Sequence, residues 1–218
     1  MGYNIAIDGP AGAGKSTIAK LVAKELGFIY VDTGAMYRGL AVHFLKKGIV
    51  PGEVEKIEAA CEDAKVELGY ENGVQQVYLN GENITSQLRE EAVGNMASVS
   101  SVVPEVRKKL VELQQKLARE TDVVMDGRDI GTVVLPDADV KVYLTASVET
   151  RAKRRFLELQ EKGESADLAK IAADIEDRDY RDMHRDISPL RQAEDATLVD
   201  SSDMTIDQVV ERILELCR

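Results

Sequence analysis

Short apolar runs recur along the chain and end in glycine or polar residues. The first, Tyr3-Asn4-Ile5-Ala6-Ile7-Asp8, leads directly into a glycine-rich segment. Four similar runs follow it: Phe28 to Val31, Val123 to Met125, Val140 to Leu144, and Ala196 to Val199. Apolar runs of this length, bounded by turn-forming residues, are typical of buried β-strands.

Helical patterns separate these runs. Residues 16–26 carry apolar side chains at the spacing of one helix face, and Gly27 is a plausible stop. The same periodicity recurs further along, at Val106, Leu110, Leu113 and Leu117, and at Val209, Val210, Ile213 and Leu214. Strands that alternate with helices predict an α/β fold in which helices cover both faces of a parallel sheet.

The stretch from residue 66 to residue 84 departs from this alternation. Apolar and polar residues alternate through Val66, Leu68 and Tyr70, and a second run extends from Val74 to Leu79. Asn72-Gly73 separates the two runs and Asn80-Gly81 follows the second. Asn-Gly is a strong hairpin signal because both turn residues need a positive φ. The stretch predicts a small antiparallel insert of two or three strands.

The segment from Lys162 to Asp167 is polar and is interrupted by Gly163. It lies between two helical patterns and offers no apolar face to a core. We therefore expect a mobile loop between two helices there.

Composition narrows the class of protein. The chain has 218 residues with 44% hydrophobic and 31% charged positions, which suits one soluble α/β core with a small insert. The net charge of −11 argues against a nucleic-acid-binding protein. No apolar run approaches the length of a membrane span. Cys61 and Cys217 are expected to be reduced thiols without a metal.

The segment Gly9-Pro10-Ala11-Gly12-Ala13-Gly14-Lys15-Ser16 fits the P-loop pattern G-x-x-x-x-G-K-[ST] without a mismatch. The glycines let backbone N–H groups surround a phosphate, and the following helix points its positive end at the anion. Lys15 is expected to reach the β- and γ-phosphates, and the Ser16 hydroxyl to ligate Mg²⁺. With Thr17, this segment is the predicted nucleoside triphosphate site.

The other motifs argue against a GTP-dependent switch. The strings N-K-x-D and D-x-x-G, which such proteins use for guanine and for the γ-phosphate, do not occur in the chain. Just past a predicted strand, Arg128 lies between two acids in Asp126-Gly127-Arg128-Asp129. This arrangement suits an anionic acceptor better than the activation of water alone.

Three polar clusters stand beside the predicted strands: Asp32 to Arg38, Asp126 to Thr132, and Arg178 to Arg185. Ligands of open α/β sheets bind at the carboxyl ends of the strands, so the first two clusters should face the P-loop. The third could also be a solvated helix with Arg–Asp pairs three or four residues apart, each worth a few tenths of a kcal/mol.

With these motifs the chain resembles the bacterial cytidylate kinase family nearly end to end. The resemblance begins at Ile5 to Pro10 and extends to the last helix. Its most specific segments are Asp32 to Arg38, Ala97 to Ser100, Pro104 to Arg107, Asp126 to Thr132, and Arg178 to Arg185. The resemblance implies a P-loop core with a five-stranded parallel sheet, an antiparallel β insert that binds the nucleoside monophosphate, and a helical lid. We expect one domain, with core segments 1–64, 86–150 and 186–218, an insert near 65–85, and a lid near 151–170 that leads into an acceptor-contacting helix, 171–185.

The same resemblance implies the site residues. Ser98 and Asp129 would read the cytosine amino group, and Arg107 the ring N3 and O2 acceptors. Arg178 and Asp182 would hold the ribose. Arg38, Arg128 and Arg185 would hold the α-phosphate, and Thr33 and Tyr37 would line the site. Lys15, Arg128 and Arg185 would be catalytic. Thr33 stands where some members have Ser, and Gln192 replaces a common proline, which leaves the rigidity of that loop open.

The expected activity is transfer of the γ-phosphoryl group of ATP to CMP or dCMP, with Mg²⁺. The attacking phosphate oxygen is already anionic, so no strong general base is required, and His43 and His184 are expected to be bystanders. Arginines between Arg151 and Arg155 are candidates for closing over the phosphates. We expect a cytoplasmic monomer without nucleic-acid or membrane partners. The alternatives are a kinase for another monophosphate or small metabolite, and a non-catalytic nucleotide-binding module.

Overall fold

The computed structural model describes residues 2–218. The strands are β1 (Asn4–Asp8), β2 (Ile29–Asp32), β3 (Val66–Glu71), β4 (Val74–Leu79), β5 (Glu82–Asn83), β6 (Val123–Gly127), β7 (Val140–Thr145) and β8 (Thr197–Asp200). The helices are α1 (Lys15–Leu26), α2 (Thr33–Lys46), α3 (Val54–Glu62), α4 (Glu91–Ser100), α5 (Pro104–Glu120), α6 (Val148–Glu161), α7 (Leu168–His184) and α8 (Ile206–Leu216). A 3₁₀ turn spans Thr85–Arg89 and a π-helical turn spans Ile130–Val134.

The main sheet has five strands in the order β2-β6-β1-β7-β8, which confirms the predicted α/β fold. β1 pairs in parallel with β6 on one side and with β7 on the other. At its carboxyl end Asp8 lies opposite Gly127 of β6 and Tyr143 of β7. The glycine-rich loop after β1 therefore begins next to the loops that follow β6 and β7.

The chain divides into two compact units. One comprises Met1–Tyr30 and Glu120–Arg218, and the other comprises Val31–Arg119. Across the described range 2–218, no helix combines the length and the apolar character needed to span a membrane.

The first unit is organised around the apolar faces of the parallel strands. Ile5 and Ile7 of β1 and Leu144 of β7 are fully buried, and α1 covers them with Ala19 and Val22. Burial of aliphatic side chains of this size contributes roughly 1.5–3 kcal/mol each. This packing holds β1 and α1, and hence the loop between them, in a fixed position.

The second strand lies one residue later than predicted. We expected Phe28 to Val31, whereas β2 spans Ile29–Asp32. Gly27 ends α1 in the left-handed conformation (φ 71°), and the N–H of Phe28 donates to the carbonyl of Ala23 at 2.8 Å. Phe28 therefore completes the helix cap and does not enter the sheet.

The second unit contains the predicted antiparallel insert. Its sheet has three strands in the order β3-β4-β5. Both Asn-Gly turns have positive φ at both residues, 53° and 75° at Asn72-Gly73 and 50° and 85° at Asn80-Gly81. Helix α2 packs closely on this sheet, since a Cβ at Gly39 would lie 3.1 Å from the Val77 side chain.

Two helices of the first unit, α6 and α7, are joined by the polar segment predicted as a loop. Helix α6 ends at Glu161 and α7 begins at Leu168. Gly163 has a φ of 74°, and the Asp167 side chain caps α7 by accepting from the N–H groups of Ala169 and Lys170. The mobility of this loop and the proposed domain limits stay predictions.

Candidate active site

The loop after β1 has the backbone geometry that phosphate binding requires. At Gly9 (φ 149°) a Cβ would lie 1.9 Å from the carbonyl oxygen of Leu144, so only glycine fits beside β7. Gly14 (φ 86°) is the left-handed N-cap of α1. The loop thus ends on the free N–H groups of a helix N-terminus, which attract anions.

Lys15 is buried at the start of α1. Its side chain is folded back on the loop, where the ammonium donates to the carbonyl of Pro10 at 2.7 Å. The pKa of Lys15 is lowered to about 7, mainly by burial and secondly by the positive charge of Arg128. Arg178 also lowers this pKa, whereas Asp126 and Asp8 raise it. The first unit therefore gathers Lys15, Arg128 and Arg178 within electrostatic reach of one another, and an anion among them would favour the charged lysine.

Ser16 shares a carboxylate with a tyrosine. The Ser16 hydroxyl donates to Asp126 Oδ2 at 2.9 Å, and the Tyr30 hydroxyl donates to Asp126 Oδ1 at 2.8 Å. Asp126 is the penultimate residue of β6 and is buried. A serine hydroxyl beside a fixed carboxylate offers the hard oxygen ligands that Mg²⁺ prefers.

Asp8, the last residue of β1, ties the loop after β6 to the strand that precedes the P-loop. Its two carboxylate oxygens accept from the N–H groups of Ile130 and Gly131, at 2.8 and 2.7 Å. Burial raises the pKa of the Asp8 carboxyl to about 6, although these two N–H donors act in the opposite direction. Residues 130–134 form the π-helical turn, so Asp8 fixes its start.

Residues of the late cluster pair with residues of the cluster from Asp126 to Thr132, which is distant in sequence. Arg128 Nε lies 2.9 Å from Asp182 Oδ2, and Arg185 Nη2 lies 3.8 Å from Asp129 Oδ1. Arg185 also donates to the carbonyl of Ser188 at 2.6 Å. These long-range pairs differ from the intrahelical Arg–Asp pairs of a solvated helix. They bring the predicted residues Arg128, Asp129, Asp182 and Arg185 together in the first unit.

In the second unit, predicted residues cluster at the start of α2. The Asp32 side chain caps this helix by accepting from Ala35 N, and Arg38 Nη2 lies 3.5 Å from Asp32 Oδ2. Thr33 is buried at the first helical position. Asp32 therefore fixes both the helix start and the Arg38 side chain. That this cluster faces the P-loop stays a prediction.

Three further predicted residues lie in the second unit. Arg107 is only 6% exposed. Its guanidinium carbon lies 5.9 Å from the centre of the Tyr37 ring, and its Nη1 donates to the carbonyl of Ser101 at 3.3 Å. Ser98 is exposed on α4, and its carbonyl accepts from the Ser101 hydroxyl at 2.8 Å. Tyr37 and the turn at Ser101 therefore hold the Arg107 fork in a defined orientation.

The arginines of α6 have different environments. Arg151 is buried and donates to the carbonyl of Ala11, in the P-loop. Arg154 donates to the carbonyl of Ser201 at 2.7 Å. Arg155 pairs with Glu158 at 2.8 Å on the exposed face of the helix.

Sequence reasoning missed two of the carboxylates. Asp126 was assigned no role, and Asp8 was taken only as the end of a strand. The available signal was an acid at the carboxyl end of an otherwise apolar strand, in Val123 to Asp126 and in Ile5 to Asp8. A buried acid at that position must be paired, so the pattern alone marks a functional or bracing group.

Within residues 2–218 no group of three or more His, Cys, Asp or Glu side chains could hold a metal ion. Cys61 is buried and Cys217 is half-buried, and both are free thiols. Gln192 donates to the carbonyl of Ala196 at 2.8 Å, a contact that a proline could not make. This hydrogen bond constrains the loop whose rigidity the sequence left open.

Comparison with known proteins gives consistent matches. Residues 5–218 match the family model described as cytidylate kinase. The cytidylate kinase of Caldicellulosiruptor saccharolyticus is 52% identical over 213 residues, 98% of this chain and 94% of that protein. The cytidylate kinase of Lactobacillus johnsonii is 49% identical over 212 residues, 97% of this chain and 92% of that protein.

A solved structure of an uncharacterized protein from Eubacterium ventriosum has a TM-score of 0.52 at 12% identity, with 98% of this chain and 96% of that chain covered. This likeness supports the fold alone. The family model and the two relatives together cover nearly the whole sequence. The chain therefore belongs to the cytidylate kinase family.

Proposed function

We propose that this enzyme transfers the γ-phosphoryl group of ATP to CMP or dCMP, giving ADP and CDP or dCDP. The observation that carries the proposal is the P-loop geometry, in which Gly14 is the left-handed N-cap of α1 and the buried Lys15 ammonium donates to the Pro10 carbonyl. In the same unit Arg128 pairs with Asp182 and Arg185 lies near Asp129, which supports an acceptor site there. The cytidylate kinase relatives supply the nucleotide assignment.

ATP binds, in this proposal, to the segment Gly9 to Thr17. Its phosphates accept from the backbone N–H groups of the loop and from the start of α1, and Lys15 moves from the Pro10 carbonyl to the β- and γ-phosphates. Mg²⁺ would be held by Ser16 and Asp126 together with phosphate oxygens and waters. The chemistry of these ligands fits, because Mg²⁺ in kinases is bound by one or two carboxylates plus phosphates and does not need a full protein cage. When bound, the ion neutralises charge on the phosphate oxygens.

The acceptor residues are proposed unit by unit. In the first unit, Arg128 and Arg185 bind the α-phosphate, Arg178 and Asp182 bind the ribose, and Asp129 accepts from the cytosine amino group. In the second unit, Arg38 binds the α-phosphate, Ser98 accepts from the amino group, and Arg107 donates to N3 and O2, with Thr33 and Tyr37 beside them. Carboxylates suit an amino group, and guanidinium forks suit phosphates and ring acceptors.

The chemical step needs alignment more than proton transfer. An oxygen of the acceptor's α-phosphate forms the new bond to Pγ, the bond from Pγ to the bridging oxygen breaks, and ADP leaves with the electron pair. Lys15, Arg128 and Arg185 stabilise the charge on the transferred group. The two histidines take no part: His43 lies 3.3 Å from Asp63, and His184 stacks on Tyr180.

The enzyme is further proposed to act as a cytoplasmic monomer. Light scattering coupled to size-exclusion chromatography tests this: a mass near 24 kDa is expected, and a stable dimer would contradict it.

The assignment is tested by a coupled assay with ATP, Mg²⁺ and CMP, dCMP, UMP, dTMP and AMP as acceptors. CMP or dCMP should be used best. Lys15→Met should lower turnover at least ~10²-fold, about 2.7 kcal/mol at ~1.36 kcal/mol per decade. Lys24→Met is the matched control, because Lys24 is exposed at the other end of the same helix. Near-normal turnover by folded Lys15→Met would contradict phosphoryl transfer at this site.

Lys15→Met should fold normally. The native state carries this ammonium in a buried position that disfavours its charge, so an apolar side chain of similar length removes a desolvation cost. Thermal unfolding of the variant should therefore occur at or above the wild-type midpoint.

A further inference from the structure

Arg151 of α6 makes three polar contacts within the protein. Its side chain is buried, with 4% exposure for the residue. Nε donates to the carbonyl of Ala146 at 2.9 Å, and Nη1 donates to the carbonyl of Ala11 at 2.9 Å. Ala11 belongs to the P-loop, so the guanidinium is fixed to the backbone that surrounds the donor phosphates.

The third contact is an ion pair with α7. Arg151 Nη1 lies 2.6 Å from Asp179 Oδ2. Asp179 is buried too, and its Oδ1 has no hydrogen-bond partner among the residues that the structure describes. The charge on Asp179 is therefore compensated mainly by Arg151. A buried pair of this kind loses its compensation when either partner is removed.

The stem of Arg151 packs along the same loop. A Cβ built at Gly12 would lie 3.4 Å from Arg151 Cβ, which is ordinary van der Waals contact. The aliphatic carbons of Arg151 thus lie beside Gly12, and its guanidinium donates to Ala11 of the same loop. With its donors directed at carbonyls and at Asp179, this arginine is placed to hold the loop and does not present a free fork to phosphate.

Asp179 stands between two proposed acceptor residues. Arg178 precedes it on α7, and Asp182 follows one helical turn later and pairs with Arg128. A shift of α7 relative to the P-loop would therefore move the acceptor groups relative to the donor phosphates. A displacement of about 1 Å is enough to cost a kinase heavily in alignment.

We propose that Arg151 and Asp179 are positioning residues that couple the P-loop to helix α7, so that ATP binding and acceptor binding reinforce each other. The inference rests on the proposed function, because it assumes that α7 contacts the acceptor. ATP orders the P-loop and with it the Ala11 carbonyl. Arg151 transmits that order to Asp179 and hence to Arg178 and Asp182. The pair acts through other residues and contacts neither substrate.

The test is a measurement of binding coupling by titration calorimetry. The dissociation constant of CMP is measured with and without a saturating non-hydrolysable ATP analogue and Mg²⁺. In the wild type the analogue should tighten CMP binding at least ~5-fold, the lower end of usual coupling between sites. In Asp179→Asn the tightening should fall below ~2-fold, while the variant still binds the analogue.

Glu215→Gln is the matched control. Glu215 is an exposed acid that pairs with Arg212 on α8, outside the proposed lid. It should keep the wild-type coupling ratio. If Asp179→Asn does not fold, Arg151→Lys serves instead, because one ammonium can pair with Asp179 but cannot also reach both carbonyls.

The outcomes separate the two claims. In one outcome, the wild type phosphorylates CMP while Asp179→Asn, or its substitute Arg151→Lys, keeps the full coupling ratio. That result would contradict the positioning role of Arg151 and Asp179 and would leave the proposed function intact. The same holds if the ATP analogue does not affect CMP binding in the wild type. A wild-type protein that does not phosphorylate CMP would overturn both claims.

Discussion

The hydroxyl of Ser16 and the carboxylate of Asp126 lie 2.9 Å apart, although 110 residues separate them in the chain. Helix α1 carries the serine and β6 the aspartate, so the relation depends on the central position of β1 in the sheet. Two hard oxygen ligands at this distance can bind one Mg²⁺ directly or through its waters.

Asp126→Asn should lower the apparent affinity of the enzyme for Mg²⁺. The amide keeps the size of the side chain and can bond Tyr30 but carries no charge. We expect a ~10–100-fold loss in apparent Mg²⁺ affinity, the usual cost of disturbing a metal site of this kind. The readout is the Mg²⁺ concentration at which binding of an ATP analogue, measured by calorimetry, is half-maximal.

Asp137→Asn is the control for this prediction, since Asp137 is exposed in the loop before β7. It should leave the Mg²⁺ requirement unchanged. If Asp126→Asn also leaves it unchanged, Asp126 is not part of the metal site and only Ser16 remains.

The sequence predicted the elements because their signals are local. Asn72-Gly73 and Asn80-Gly81 specify their turns within two residues, and both have the positive φ expected of them. The P-loop is equally local, because its glycines and Lys15 are adjacent in the chain. Alternating runs then determined the parallel sheet, since few arrangements bury both of its faces.

The pairings that build the site were not predictable in this way. Asp8 binds the N–H groups of Ile130 and Gly131 across more than 120 residues, and Arg151 pairs with Asp179 across a loop. Several arginines in the chain could have paired with each acid, so the sequence left the choice open. Helix and sheet packing decides it.

Asp8 predicts a pH dependence of stability. In an unfolded chain Asp titrates near ~3.9, whereas burial raises the pKa of Asp8 to about 6. Between these values the folded protein binds the proton more tightly than the unfolded chain does. The stability contributed by Asp8 is therefore present at low pH and declines as the pH rises through this window.

Urea unfolding of wild type and Asp8→Asn at several pH values from 4 to 7 measures this effect. The free energy of unfolding of the wild type, relative to the variant, should fall with rising pH by at most about 3 kcal/mol, at ~1.36 kcal/mol per unit of pKa shift. A difference that is constant with pH would contradict the raised pKa.

Asp195→Asn should show the opposite trend and is the matched comparison. Its hydrogen bond from Lys141 lowers the pKa of the Asp195 carboxyl. The stability that Asp195 contributes is therefore present near neutral pH and is lost as the pH falls through its lowered pKa. Because this window lies below the unfolded value of about 3.9, the series for Asp195→Asn is extended below pH 4. There the free energy of unfolding of the wild type, relative to the variant, should rise with pH and then stay constant from pH 4 to 7.

The segment around Gly163 should become ordered when both substrates are bound. It joins α6 to α7 and has no apolar face, so its backbone is expected to open often until neighbouring arginines contact phosphate. Amide hydrogen exchange across residues 155–170 should slow with an ATP analogue and CMP together, and less with either alone. Exchange in α8 is the internal reference, and unchanged exchange at 155–170 would mean that this segment is not the lid.

Base selection is the central claim of the assignment. Cytosine has an amino group at position 4 and an acceptor at N3, whereas uracil has a carbonyl and an N–H. Asp129 would oppose the uracil carbonyl with a carboxylate, and Arg107 has nothing to accept the uracil N3–H. Each such mismatch in a closed site costs roughly 1–3 kcal/mol, so the enzyme should reject UMP by orders of magnitude.

Two substitutions test the residues that read the base. Arg107→Met keeps the bulk of a buried side chain beside Tyr37 but removes its donors. Ser98→Ala removes only an exposed hydroxyl on α4. Both substitutions should lower kcat/KM for CMP by more than they raise kcat/KM for UMP. Arg119→Met, an exposed arginine in the last turn of the same helix as Arg107, is the matched control and should behave as the wild type.

The most direct measurement is kcat/KM for CMP and for UMP in the wild type, Ser98→Ala, Arg107→Met and Arg119→Met. We expect a clear preference for CMP in the wild type and in Arg119→Met. In Ser98→Ala and Arg107→Met the ratio of kcat/KM for CMP to kcat/KM for UMP should be smaller. Equal use of UMP and CMP by the wild type, or a ratio that neither Ser98→Ala nor Arg107→Met changes, would contradict the proposed reading of cytosine.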